Sequence, residues 1–127
     1  VVDNEGKLLI GRRARGRYAG RWCIPCGYVE GDEHVRDAAI REFREETGLT
    51  VELGEVFTVH SNFHNPAVPT VGIWFFGTVT GGEARADDDL DRLSRVPLTS
   101  LSQVKWAFPT DVLVARELTA RYGSAPG

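Results

Sequence analysis

The sequence predicts one α/β domain, a sandwich in which a central mixed β-sheet is held between two helices. Three observations carry this. The segments Asp32–Thr47 and Asp111–Tyr122 each carry an apolar stripe at helical spacing, and a stripe of that kind needs a sheet to cover it. Between them lie Val51–His60 and Thr70–Thr80, which are rich in β-branched and aromatic residues, as strands are. At 127 residues the chain has the length of a single domain.

Taken in order, Val1–Val2 and Lys7–Gly11 read as two short strands about an Asn4-Glu5-Gly6 turn. Arg12–Gly20 is a polar loop punctuated by Gly16 and Gly20, and Trp22–Cys26 is a short strand. After the turn-rich Gly27–Gly31 comes the long helix, with Asp32 as its N-cap and Gly48 as its stop. Ser61–Pro69 joins the two long strands, and Trp74, Phe75 and Phe76 fill the core. Gly81–Asp91 is a polar loop, and Leu98–Val104 and Asp111–Tyr122 are helices, the last with Val112, Ala115, Leu118 and Thr119 in register. One domain therefore covers residues 1–122, with 123–127 expected to be a disordered tail. Val1 is not a natural start residue, so the sequence reads as a fragment or as trimmed at its N-terminus.

Bulk properties exclude several classes. A net charge of −3 argues against a general nucleic-acid binder. Apolar runs such as Val71 to Phe76 fall far short of the roughly 18 residues that span a bilayer. Two cysteines do not make a disulfide scaffold, so a reducing, cytoplasmic location is expected. Charge is unevenly spread: residues 1–26 carry six basic side chains (Lys7, Arg12, Arg13, Arg15, Arg17, Arg21) against Asp3 and Glu5. A basic strip beside an acidic remainder suits a phosphorylated ligand bridged by cations, and Arg12 and Arg21 are candidate contacts. A solvated Arg-rich loop is the plainer alternative.

The long helix is where chemistry shows. At about 100° per residue, Val35, Ala38, Ala39, Glu45 and Glu46 all fall within about 60° of Glu42. The stripe expected to dock on the core thus runs on into three carboxylates, which would repel one another and lose hydration. A bound divalent cation is the simplest compensation, and oxygen ligands favour Mg²⁺ or Mn²⁺. An acidic solvated helix with an Arg41–Glu45 pair is the alternative on this segment alone.

The segment Gly27-Tyr-Val-Glu-Gly-Asp-Glu33-His-Val-Arg-Asp-Ala-Ala-Ile-Arg41-Glu42-Phe43-Arg-Glu45-Glu46-Thr-Gly48-Leu49 resembles the Nudix box. That pattern is Gly, five residues, Glu, seven residues, Arg-Glu, an aliphatic or aromatic residue, any residue, Glu-Glu, any residue, Gly and a hydrophobe. Every fixed position is filled, a match of about one in a billion per starting position at ordinary residue frequencies. The resemblance implies a Nudix-type α/β/α sandwich and a divalent-metal enzyme that cuts a diphosphate bond. It implies that Glu42, Glu45 and Glu46 bind the metal, joined by the backbone carbonyl of Cys26. It implies that Arg41 orients the glutamates, that Glu33 supports the loop, and that Gly27 and Gly48 are backbone positions. The general base varies across this family: a box glutamate or a later acidic loop serves. Here Glu83, Asp87, Asp88, Asp89 and Asp91 are the loop candidates, and Arg92 stands where members with a similar tail commonly have a glutamate.

Trp22-Cys23-Ile24-Pro25-Cys26 looks like a thioredoxin active site, but no helix follows it directly, and no second such pair exists for zinc. The run His60-Ser61-Asn62-Phe63-His64-Asn65-Pro66 could hold the base or sugar, with Phe63 stacking and His60 or His64 contacting phosphate or ribose. The Ile24–Glu30 wording, with that run, looks most like the ADP-ribose and NADH pyrophosphatase branch. The implied partner is a small nucleotide rather than nucleic acid or membrane, and a homodimer is open to the chain. The alternatives are a MutT-like nucleoside triphosphate pyrophosphohydrolase and a non-catalytic Nudix-fold nucleotide sensor. Sensors often lose box carboxylates, and this box is intact.

Overall fold

The computed structural model describes residues 1–63 and 65–123. The element order is β1 (Lys7–Arg13), β2 (Trp22–Cys23), α1 (Val35–Thr47), β3 (Leu49–Asn62), β4 (Thr70–Gly82), β5 (Leu90–Pro97), a 3-10 turn over Leu98–Gln103, and α2 (Pro109–Tyr122). Strands β2, β1 and β5 form one antiparallel sheet, and β3 with β4 forms an antiparallel ribbon. Among the described residues the parallel component is a single bridge: Trp22 N–H donates to the Lys105 carbonyl, and Ala107 N–H donates back to the Trp22 carbonyl.

β1 explains the sandwich. Its residues Leu8 and Ile10 point to one face, where they meet Val114, Ala115 and Leu118 of α2. Leu9 points to the other, where it meets Phe43 of α1 and Leu49 and Val51 of β3. A strand buried on both faces reads as a continuous apolar run, as Leu8-Leu9-Ile10 does. Both helices are docked, as the expected sandwich requires. No helix among the described residues is long and apolar enough to cross a membrane.

Several boundaries differ from the sequence reading. The helix begins at Val35, not Asp32, and Asp32 is not its cap. The backbone N–H of Glu33 is spent in a turn to the Glu30 carbonyl, and its carboxylate is drawn to Arg41, so residues 32–33 belong to the loop. The short strand ends at Cys23 rather than Cys26, because the next N–H groups leave the ladder: Ile24 donates to Asp111, Pro25 has none, and Cys26 donates to Glu46. β1 runs on to Arg13, past the expected start of the polar loop. β5 escaped the sequence reading because Leu90, Leu93 and Val96 recur every three residues instead of alternating; pairing along the length of β1 makes it a strand. Leu98–Gln103 is 3-10 rather than α-helical.

The apolar stripe of α1 also needs correcting. Of the expected stripe Ala38 is buried, but the side chains packed in the apolar cluster with β1 and β3 are Ile40 and Phe43, while Val35 is exposed. The docked face is thus rotated by about 100° from the one expected. The carboxylates lie on the shoulder between core and solvent, and burial falls off across them. Glu46 is 2% exposed, the Glu42 side chain 15% and the Glu45 side chain 46%.

Candidate metal centre

Helix α1 stops at Gly48, whose φ of 73° is left-handed. Its missing side chain matters twice, since a Cβ there would also collide with the Glu83 carbonyl. Just beyond, the loop after β4 folds back onto the helix end. Arg85 N–H donates to the Thr47 carbonyl at 2.8 Å and Asp87 N–H to the Glu46 carbonyl at 3.0 Å. These are carbonyls a helix terminus leaves without internal partners. The acidic run Asp87–Asp89 is thereby carried to the carboxylate shoulder of α1.

The result is a cluster in which oxygens of Glu42, Glu45 and Asp88 all lie within 4.8 Å of one another. Arg41 is the cation beside it. Its guanidinium grips Glu33 through two donors, at 2.8 and 2.9 Å, and donates to Glu42 at 2.8 Å, Glu45 at 3.2 Å and the Tyr28 carbonyl at 3.1 Å. Hydrogen bonding to Arg41 lowers the Glu33 pKa, and the Arg41 pKa is raised in turn by Glu33 and Glu42. Burial raises the Glu42 carboxyl, and the neighbouring Glu45 and Asp88 add to this against the pull of Arg41. Glu46 is pushed up to about 8, first by burial and then by the charges of Glu42, Asp89 and Asp88. Its carboxyl accepts the Cys26 N–H at 2.8 Å. Arg41 alone does not offset the carboxylates of Glu42, Glu45 and Asp88, and the donors are hard oxygens, so the set suits a hard divalent cation.

The site brings together Arg41, Glu33, Glu42 and Glu45 as expected from the sequence, and Glu46 and Cys26 meet one layer deeper. Asp88 joins them from the late acidic run, where no pattern distinguishes it from its neighbours. Gly27 packs directly against Glu42: a Cβ there would fall on the Glu42 carboxyl group. Gly27→Ala should therefore displace Glu42 and lower kcat ten- to a hundredfold, while Tm falls by only a few degrees. Steady-state kinetics and a melting curve check this, and wild-type kcat in that variant would refute the close approach.

Other candidates lie elsewhere. Arg12 is ion-paired with Asp91 at 2.8 Å, and Arg21 donates to the Trp106 carbonyl at 3.4 Å. Phe63 is 72% exposed at the end of β3. His60 belongs to β3 itself and bonds Glu117 of α2. His64, and residues 124–127 of the expected tail, lie outside the described residues. Cys23 is buried and its thiol is pushed up to about 12, chiefly by burial, so it supplies no reactive thiolate at neutral pH. Asp111, which sequence reading used only as a helix start, is a buried acid that accepts the Ile24 N–H.

A profile of the NUDIX domain matches residues 1–122. The ADP-ribose pyrophosphatase of Methanocaldococcus jannaschii is 30% identical over 105 residues, covering 82% of this chain and 62% of that protein. The CTP pyrophosphohydrolase of Escherichia coli is 33% identical over 91 residues, 68% of this chain and 67% of that one. Among solved structures, a NUDIX hydrolase from Nitrosomonas europaea superposes with a TM-score of 0.83 at 23% identity, covering all of this chain and 71% of its own. The chain thus spans less than two thirds of the archaeal relative's length.

Proposed function

The chain belongs to the Nudix family, and from that premise we propose that it is a divalent-metal-dependent hydrolase of a diphosphate bond joining a nucleoside diphosphate to another moiety, with ADP-ribose or a dinucleotide as the preferred substrate. Nudix hydrolases act on nucleotide diphosphates with divalent metals. The observation that carries the reading to this chain is the convergence of Glu42, Glu45 and Asp88, with Arg41 paired to the two glutamates.

Glu42, Glu45 and Asp88 would hold the cation, with Glu46 and the Cys26 carbonyl as the deeper ligands that the box resemblance implies. A metal bound there supplies charge neutralisation at the diphosphate and lowers the pKa of a bound water. The chain's own groups do the rest. Arg41 fixes Glu42 and Glu45 by direct contact, and Glu33 braces Arg41 from behind. Cys26 N–H holds Glu46 in place. Phe63 offers an exposed ring on which a base can stack.

The resemblance of Ile24–Glu30 to the ADP-ribose branch and the similarity to an ADP-ribose pyrophosphatase favour that substrate class. Similarity to a CTP pyrophosphohydrolase favours a second reading, removal of diphosphate from a nucleoside triphosphate. A hydrolysis screen over ADP-ribose, NADH, nucleotide sugars, diadenosine polyphosphates and nucleoside triphosphates separates them. AMP and ribose 5-phosphate from ADP-ribose, with Mg²⁺ or Mn²⁺ required and chelator abolishing turnover, is the expected result. Preferential release of diphosphate from triphosphates would select the second reading, and binding without cleavage would overturn both.

A further inference from the structure

We propose that the basic segment Arg12–Arg15 acts as a clasp that positions Asp88 for metal binding, rather than as a grip on the substrate's phosphates; the inference rests on the metal site proposed above. The pairing of β1 with β5 slips between Arg12 and Arg13: Arg12 lies opposite Arg92, and Arg13 opposite Leu90. Asp91 is the extra residue at this bulge, and a bulge re-aims the side chain it carries. Asp91 meets Arg12 at 2.8 Å, and the pairing lowers the Asp91 pKa. Two residues further along β1's exit, Ala14 N–H donates to the Asp89 carbonyl at 2.9 Å. Arg15 donates to the Asp88 carbonyl at 3.0 Å and stands 3.9 Å from the Asp89 carboxylate.

Asp88 itself has a φ of 55°, in the left-handed region, which aspartate enters more readily than most residues with a side chain but still at some cost. Such a conformation persists only when its surroundings over-determine it. Here the loop is held from both sides: Asp87 N–H by the end of α1, and Asp88 and Asp89 carbonyls by the Arg12–Arg15 segment. In that conformation the Asp88 carboxylate lies among Glu42 and Glu45. Among the described residues, Arg12 and Arg15 make their polar contacts with this acidic loop.

The test is Mn²⁺ affinity, read by the electron paramagnetic resonance signal of free Mn²⁺ during titration of chelator-treated protein. Arg15→Ala, on an exposed side chain, should weaken Mn²⁺ binding about two- to fivefold, and Arg12→Ala/Arg15→Ala further. Asp88→Asn should weaken it at least as much, and Arg15→Ala should add nothing in the Asp88→Asn background, since the two act through one ligand. Arg15→Lys should restore part of the loss. Unchanged Mn²⁺ affinity in both arginine variants, with Asp88→Asn impaired, would overturn the clasp while leaving the metal site standing. Unchanged affinity in Asp88→Asn would remove Asp88 from the ligands and the clasp with it. A raised nucleotide KM at saturating metal in Arg15→Ala, without any change in Mn²⁺ affinity, would return the segment to phosphate binding.

Discussion

Glu45→Gln is expected to lower kcat by about a hundredfold or more while leaving the fold intact. Glu45 is the most exposed of the three box glutamates and lies 3.2 Å from Arg41, a contact the amide oxygen can keep. The substitution therefore subtracts one negative charge from the cluster with Glu42 and Asp88 and little else. If that charge helps hold a cation opposite a developing charge, its loss costs several kcal/mol at the transition state, which is where a hundredfold comes from. Glu46→Gln should behave alike in turnover. In the absence of metal each change should preserve or raise Tm, because Glu45→Gln removes a charge beside Glu42 and Asp88, and Glu46→Gln removes an acid whose ionisation is opposed first by burial and then by neighbouring carboxylates. Asp37→Asn, on an exposed face of α1, should be nearly silent. Kinetics across a metal titration, paired with melting curves, checks all four statements. Full activity of Glu46→Gln at limiting metal would sink the assignment.

The sequence made the site's local part readable because the box places its carboxylates on one helix, where spacing alone fixes their relative directions. The helix stop at Gly48 was readable for the same reason: a left-handed residue after a periodic run needs no distant partner. What spacing could not supply was the rotation of α1 on the core. Ile40 and Phe43 outweigh the smaller Ala38 and Ala39 in apolar area, so they set the docked face, and Glu46 is buried while Glu45 remains at the surface. Asp88 was named among the loop acids but could not be singled out from Asp87 and Asp89, since its place beside Glu42 and Glu45 depends on which loop carbonyls and amides the α1 terminus and the β1 exit engage. The pairing of Arg12 with Asp91 was not readable, because the two lie 79 residues apart across a bulge that no local pattern announces. β5 failed for a related reason, its strand character coming from β1 rather than from its own alternation.

Asp111→Asn should stabilise the protein at neutral pH, and the gain should vanish in acid. Asp111 is 4% exposed in the first turn of α2, where its carboxylate accepts the Ile24 N–H at 3.2 Å. Burial pushes its pKa up to about 7, against smaller opposing pulls from that N–H and from Arg13. A carboxyl whose folded pKa lies above its unfolded value of about 3.9 binds its proton more tightly when folded. The stability it contributes is complete below about pH 4 and is lost as pH rises towards 7, at about 1.4 kcal/mol per unit for one proton, after which the deficit is constant. The total is on the order of a few kcal/mol. Asparagine keeps an oxygen for Ile24 and cannot ionise, so its stability lacks this fall. Melting temperatures of the two proteins should agree near pH 4 and diverge by about 10 °C at pH 7.5. The comparison is made without metal, and the titration of Glu46 is common to both proteins and cancels in the difference. Parallel Tm curves from pH 4 to 8 would mean that Asp111 is ionised throughout, held by the first turn of α2 and Arg13 more strongly than burial opposes it.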